Sequence, residues 1–278
     1  MALAPAHRII AADTHCVPAP FRSFAVRSEE PVHAFHARAP YGRVHVLHAD
    51  FMDAESLARL AASGFERVNI SAFSDIDYAT TTLQELAAIA PRVPDLAEQI
   101  AGALACTGVL GDEPASYRRS VETRIDFLAS QGAGFHNDVS RHWSRCLFWV
   151  LALDVVDVEF VMPHAGVRLA LAPGDLVVFD QAMAHGLCRP RDGGQAVAAS
   201  FEGGAQGRQI FLTGELLLTD AQWAAVGAPW LAVEEHDRRG ALDLMVAEFD
   251  DRSGAIKRLR ALHDSMKRST CHVDDSSA

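Results

Sequence analysis

The sequence predicts an α+β chain in which helices flank a central block of antiparallel β-structure, and three observations predict it. Helical spacing of apolar residues runs through the front third. From about Tyr117, short runs rich in Val, Ile, Leu and Phe follow one another, broken by Gly, Pro and Asp, with no helical segment between them. Helical spacing returns after Thr219. Strands in succession without intervening helices exclude a parallel βαβ sheet and imply a sandwich or a barrel. The chain accordingly divides into an N-terminal arm with helices (1–116), a β core (117–215), C-terminal helices (216–268) and a polar tail (269–278) that is expected to be disordered.

Taken in order, the first fifty residues hold prolines and histidines with little periodicity, apart from the strand-like run Arg43, Val44, His45, Val46 and Leu47. They read as an irregular arm with one or two strands. Asp53 is an N-cap for a helix over 54–62, with Leu57, Leu60 and Ala61 on one stripe and Gly64 as its stop. A second helix fits 81–89. A third opens at Pro94 and Asp95 and carries Leu96, Ile100 and Leu104 on one face. In the β core, strands are expected near 120–129, 134–139, 145–153, 156–162, 166–171, 175–180, 184–188, 196–201 and 208–214. Thr219 caps a helix over 220–226, and further helices are expected over 241–249 and 255–267. The last of these carries an apolar stripe of Ile256, Leu259, Leu262 and Met266, which serves either its own domain or a homodimer contact.

Composition bounds the function. A chain of 278 residues and 30.1 kDa with 49% hydrophobic content can bury a substantial core. Its formal charge of −11 and sequence pI of about 5.6 give no support to nucleic-acid or anionic-lipid binding, so small molecules are the expected partners. The five cysteines, Cys16, Cys106, Cys146, Cys188 and Cys271, are scattered and odd in number, which points to a reducing compartment and away from a zinc knuckle. The N-terminus lacks the basic stretch and apolar run of a signal peptide, and no segment has the length of a spanning helix. A cytoplasmic location is the expectation.

The chemistry concentrates in two places. Gly134-Phe135-His136-Asn137-Asp138 falls where a strand is expected, and on a strand residues i and i+2 share a face, so His136 and Asp138 can reach one ion. An imidazole and a carboxylate suit iron(II), and a second His completes the facial triad that leaves positions open for substrate and oxygen. That His is offered by Gly174-Asp175-Leu176-Val177-Val178-Phe179-Asp180 followed by Gln181-Ala182-Met183-Ala184-His185. Gly-Asp supplies a tight turn, the apolar run a buried strand, and His185 stands at the entry to the next strand, 47 residues after Asp138. His142 and His164 flank the same strands, and His33, His36, His45 and His48 cluster in the arm, where irregular spacing reads as surface or pocket-lining histidines rather than a second metal site.

In these residues the chain resembles the Fe(II)/2-oxoglutarate-dependent dioxygenase superfamily, whose core carries a His-x-Asp pair, a downstream Gly-Asp-Leu-apolar-Phe strand and a distal His. The resemblance covers about 121–211 and matches no particular subfamily. It implies a double-stranded β-helix (jelly-roll) core, His136, Asp138 and His185 as catalytic metal ligands, and Fe(II) with 2-oxoglutarate as co-substrate. It further implies hydroxylation of a small molecule, an amino acid or natural-product intermediate, with decarboxylation of 2-oxoglutarate to succinate. The carboxylate of Asp138 argues against halogenation, which needs a small residue there.

One departure from the family pattern concerns the far carboxylate of 2-oxoglutarate, which an Arg would bind through its planar fork. The usual place, about ten residues beyond the distal His, holds Gln195. Arg191, nearest that place, is the favoured substitute and Arg145, opening the strand after His-x-Asp, the next; Arg189 and Arg208 are also available. The Gln195 departure keeps open a cupin-type metal oxygenase that uses the same ligands without 2-oxoglutarate, and a metal-free jelly-roll binding domain stands as the non-enzymatic alternative. Trp143, Phe148 and Trp149 border the metal strand and read as core before pocket, as does Cys188. Asn137 is expected to point away from the metal.

Overall fold

The computed structural model describes residues 8–11, 25–26, 35–37, 41, 43–68, 76–105, 125–130, 133–136, 146–162, 167–181, 185–188, 209–219, 221–222, 231–233, 245–249 and 256–261. Their elements are β1 (Arg8–Ala11), β2 (Ala25–Val26), β3 (Phe35–Ala37), β4 (Arg43–His48), α1 (Ala54–Arg67), β5 (Ile76–Thr81), α2 (Leu83–Ile89) and α3 (Asp95–Ala105), then β6 (Ile125–Ser130), β7 (Ala133–His136), β8 (Cys146–Asp154), β9 (Glu159–Met162), β10 (Val167–Ala170), β11 (Asp175–Phe179), β12 (His185–Cys188), β13 (Gln209–Leu217), β14 (Leu231–Val233), β15 (Met245–Phe249) and β16 (Ile256–Ala261). The architecture is mostly antiparallel β-structure with few helices, as in a jelly-roll-like fold.

Two sheets dominate. The larger has seven strands in the order β1-β4-β11-β8-β13-β6-β5, and the smaller four in the order β10-β9-β12-β7. The chain shuttles between them: β6 enters the large sheet, β7 the small, β8 the large, β9 and β10 the small, β11 the large, β12 the small and β13 the large. Neighbouring strands therefore come from distant sequence, which is why the apolar runs of the core cannot pair as local hairpins alone.

One face of the large sheet packs against the helices. Leu147, Trp149 and Leu151 of β8, Leu176 and Val178 of β11, and Ile210, Leu212 and Leu216 of β13 alternate along their strands and share one buried cluster with Leu57 and Leu60 of α1 and Leu96, Ile100 and Leu104 of α3. Helix α1 starts where the Asp53 carboxylate accepts the Ser56 N–H at 2.7 Å, and it turns Leu57, Leu60, Ala61 and Gly64 toward the sheet. Helix α2 opens on a capping box, Thr82 and Glu85 each satisfying the other's backbone N–H. The opposite face of the large sheet carries Phe148, Val150, Val177, Phe179, Phe211 and Thr213, placed there by the register Phe148↔Phe179, Val150↔Val177 and Val150↔Thr213.

The turn before β11 is built as its Gly-Asp pair implies. Gly174 has φ +93°, a conformation that favours glycine, and a Cβ there would lie 2.8 Å from the His48 ring. Asp175 closes the turn by accepting the Ala172 N–H at 2.8 Å, and its other oxygen lies 3.0 Å from His48 Nδ1.

Three expectations are corrected. The C-terminal helices over 241–249 and 255–267 are not formed where the structure describes these segments: Met245–Phe249 and Ile256–Ala261 are strands paired as an antiparallel hairpin. The connection Asp250-Asp251-Arg252-Ser253-Gly254 has turn composition, and the pairing of the two segments overrides the helical stripe of Ile256, Leu259, Leu262 and Met266, whose first two members lie in β16. A homodimer contact through a C-terminal helix therefore has no helix to form it over 256–261. The front third, read as helical beyond Arg43–Leu47, also contributes β5, whose Tyr78, Thr80 and Thr81 favour a strand and which pairs along the whole of β6. The expected strand at 196–201, the remainder of the helix over 220–226 and the tail over 269–278 lie outside the described residues.

Candidate metal centre

The two histidines singled out in the sequence meet in one strand pair. β7 and β12 are adjacent and antiparallel, and His136 and His185 are register partners. Directly opposed positions in such a pair share a face of the sheet, with Cβ atoms about 4.5–5.5 Å apart, a separation that one metal ion can span. The register shifts between His185 and Leu187, so the ladder is irregular directly beside the histidines. Asp138 lies outside the described residues, two positions beyond His136. Among the described residues no three His, Cys, Asp or Glu side chains form a metal-binding group.

His185 is only 6% exposed. Its ring meets Phe179 at a centroid distance of 4.8 Å and an interplanar angle of 63°, and Phe160 at 6.2 Å and 31°. Phe160 and Phe179 touch each other at 4.8 Å, and Phe148 meets Phe179 nearly at right angles, 83°, at 5.8 Å. His185 and Phe160 belong to the small sheet, Phe148 and Phe179 to the large one, so this aromatic contact joins the two sheets. It does so at one end of the strands, where β11 finishes, β12 begins and β7 finishes.

The same end holds polar groups that the sequence reading did not single out. Asp180, fully buried, accepts the Tyr41 N–H at 2.7 Å, and Tyr41 Oη lies 2.6 Å from His45 Nε2 with the two rings stacked. Gln181 donates to Cys146 Sγ at 2.8 Å. On the inner face of the large sheet, Thr80 donates to the Asp126 carboxylate at 2.7 Å and Thr213 to the Asp126 carbonyl at 3.3 Å. Asp180 ends the Gly-Asp-Leu-Val-Val-Phe-Asp run, and a carboxylate closing an apolar strand was the available signal.

The other candidates separate. His45 and His48 are engaged by Tyr41 and Asp175 respectively, on opposite faces of β4, and so do not share a site. Trp149 is fully buried on the helix side of the large sheet, whereas Phe148 is half-buried on the opposite side, where it meets Phe179. Arg145, Arg191, Gln195, Asn137, His142, Trp143, His164, Arg189 and Arg208 lie outside the described residues. The next described strand after β12 is β13, and Arg208 directly precedes it in sequence.

Two histidines hold opposed backbone positions in one strand pair, His185 lies among aromatic carbon, and a carboxylate residue follows His136 by two positions in the sequence, a donor set of the kind that suits a divalent iron ion. No protein-family model and no curated protein sequence matches the chain. Solved structures similar to it include a 2OG-Fe(II) oxygenase-family oxidoreductase from Burkholderia pseudomallei, at 17% identity over 62% of this chain and 82% of that one, with a TM-score of 0.38. A prolyl-4-hydroxylase from Pseudomonas putida matches at 14% identity over 63% and 92%, with a TM-score of 0.40. HygX from Streptomyces hygroscopicus, with nickel and 2-oxoglutarate bound, matches at 12% identity over 63% and 83%, with a TM-score of 0.37.

Proposed function

We propose that this protein is an Fe(II)- and 2-oxoglutarate-dependent oxygenase that hydroxylates a small molecule, with His136, Asp138 and His185 as the metal ligands. The observation that carries the reading is the register partnership of His136 and His185, brought together from positions 49 residues apart. The back-and-forth passage of β6 to β13 between two sheets supports a double-stranded β-helix as the frame, with 117–215 as its core.

When bound, iron and 2-oxoglutarate would supply the oxidation: substrate C–H, O2 and 2-oxoglutarate become C–OH, succinate and CO2. The chain's part is to hold, orient and exclude. Histidines at opposed backbone positions of one strand pair would need little chain rearrangement to receive an ion. Phe179 sets aromatic carbon against His185, which restricts water at that side of the site. Arg191 and Arg145 are the proposed partners of the far carboxylate of 2-oxoglutarate, and Arg208 joins them because it precedes the next described strand. The net charge of −11 favours a small molecule over nucleic acid as substrate.

Anaerobic titration of the protein with iron(II) and then 2-oxoglutarate tests the reading without knowledge of the substrate. A visible charge-transfer band should appear in the wild type, vanish in His185→Ala, and be followed by succinate formation on admitting oxygen. Tight metal binding with neither band nor succinate would favour a cupin-type enzyme. Among Arg191→Ala, Arg145→Ala and Arg208→Ala, the variant that needs the most 2-oxoglutarate to develop the band identifies the anchor.

A further inference from the structure

We propose that Phe179 is a positioning residue that sets the plane of the His185 imidazole, through an edge contact delivered from the opposite sheet. The inference rests on the metal reading above and deepens it. The β7·β12 register fixes where residue 185 sits on the backbone, but not how its ring is turned, because the second side-chain torsion of histidine is broad and has no sharp staggered wells. An imidazole presents a nitrogen to an ion only within a narrow range of that torsion. Something beyond the register must select it.

Phe179 is placed to contribute to that selection. Its ring is 1% exposed, stands 4.8 Å from the His185 ring at 63°, and belongs to β11 of the large sheet, whereas His185 belongs to β12 of the small one. Phe179 is itself held on two sides, by Phe148 at 83° and by Phe160 at 53°. Phe160, although equally buried in the same cluster, is farther from His185, at 6.2 Å, and more nearly parallel to it at 31°. The two phenylalanines thus contribute comparable packing to the fold but unequal contact to the histidine. That inequality separates an orienting role from a merely structural one, much as outer groups that orient a metal-bound histidine are distinguished from the rest of the core.

Cobalt(II) binding to the metal-free protein, followed by visible absorbance, reads the coordination sphere that a turned ring would disturb, and thermal melting of the same metal-free samples reads the fold. Phe179→Leu is expected to weaken cobalt binding about tenfold and to alter the cobalt spectrum. Phe160→Leu, with a comparable fall in melting temperature, is expected to keep wild-type affinity and spectrum. Should Phe179→Leu fail to fold, Phe179→Met retains the volume without the ring and is read in the same way. The proposal is overturned if the ring-less variants bind cobalt like the wild type, or if Phe160→Leu weakens binding as much as they do. A wild type that binds no cobalt removes the metal reading and this inference with it, an outcome distinct from the first two.

Discussion

At Gly64, helix α1 comes so close to the large sheet that a methyl group has no room. A Cβ there would lie 2.8 Å from Phe127 Cδ1 and 2.9 Å from Ile210 Cγ1, contacts that real Cβ atoms do not make. Gly64→Ala should therefore destabilise the protein by about 1–3 kcal/mol through overpacking, although alanine is the better helix former; equal or higher denaturation midpoints would show that α1 can move off the sheet. The same closeness explains part of what was legible in the sequence. Gly64 was read as the stop of α1, since glycine commonly ends a helix, whereas it lies inside the helix, which continues to Arg67. Its purpose is clearance from Phe127 and Ile210, and neither residue is near it in sequence. His136 and His185 stand out in the sequence for the opposite reason: their signal is a choice of donor atoms and needs no knowledge of packing. Phe179 was read only as part of an apolar strand, because its contact with His185 is made across two sheets.

At the scale of the element, α2 shows what local chemistry fixes and where it operates. Thr82 accepts the Glu85 N–H, while the Glu85 carboxylate accepts the Thr82 N–H and receives hydrogen bonds from Arg67 of α1 and Thr81 of β5. Glu85 is held below the ordinary glutamate value of 4.5, first by the Arg67 hydrogen bond and then by Thr81 and the Thr82 backbone. A carboxyl group with a lowered folded-state pKa stabilises the fold above its unfolded value and loses that contribution as pH falls through the folded one. Glu85→Gln should accordingly make stability less sensitive to acidification as pH falls below the ordinary glutamate value of 4.5, checked by chemical denaturation at each pH. An unchanged pH dependence would show that the carboxylate is fully solvated. Thr82→Ala should cost about 1 kcal/mol by removing the cap. Helices with such caps were read well, and so were the strands of the core, since each has a strong local pattern. The C-terminal hairpin was misread because β15 and β16 derive their structure from each other, a pairing that the helical stripe of Ile256, Leu259, Leu262 and Met266 does not reveal.

For the molecule as a whole, the decisive arrangement is that β7 and β12, which carry the histidines, lie in one sheet while their sequence neighbours β6, β8, β11 and β13 lie in the other. An ion held by His136, Asp138 and His185 would cross-link strands that are distant in sequence and would bind the folded chain alone, since the unfolded chain has no preformed site. Ligand binding of this kind raises stability by about 2.7 kcal/mol when the free ion is present at 100 times its dissociation constant. Cobalt(II) or nickel(II), with 2-oxoglutarate added, should therefore raise the melting temperature of the wild type in a concentration-dependent manner, and a chelator should reverse the rise. Asp138→Ala should melt near the metal-free wild type and show little further rise with metal. The logic separates a resident site from surface histidines: ions on exposed side chains bind folded and unfolded chains alike and leave the melting temperature where it was. An equal rise in Asp138→Ala would mean that the ion is held without the carboxylate, and the pairing of β7 with β12 would then have to be explained as packing rather than as the frame of a metal centre.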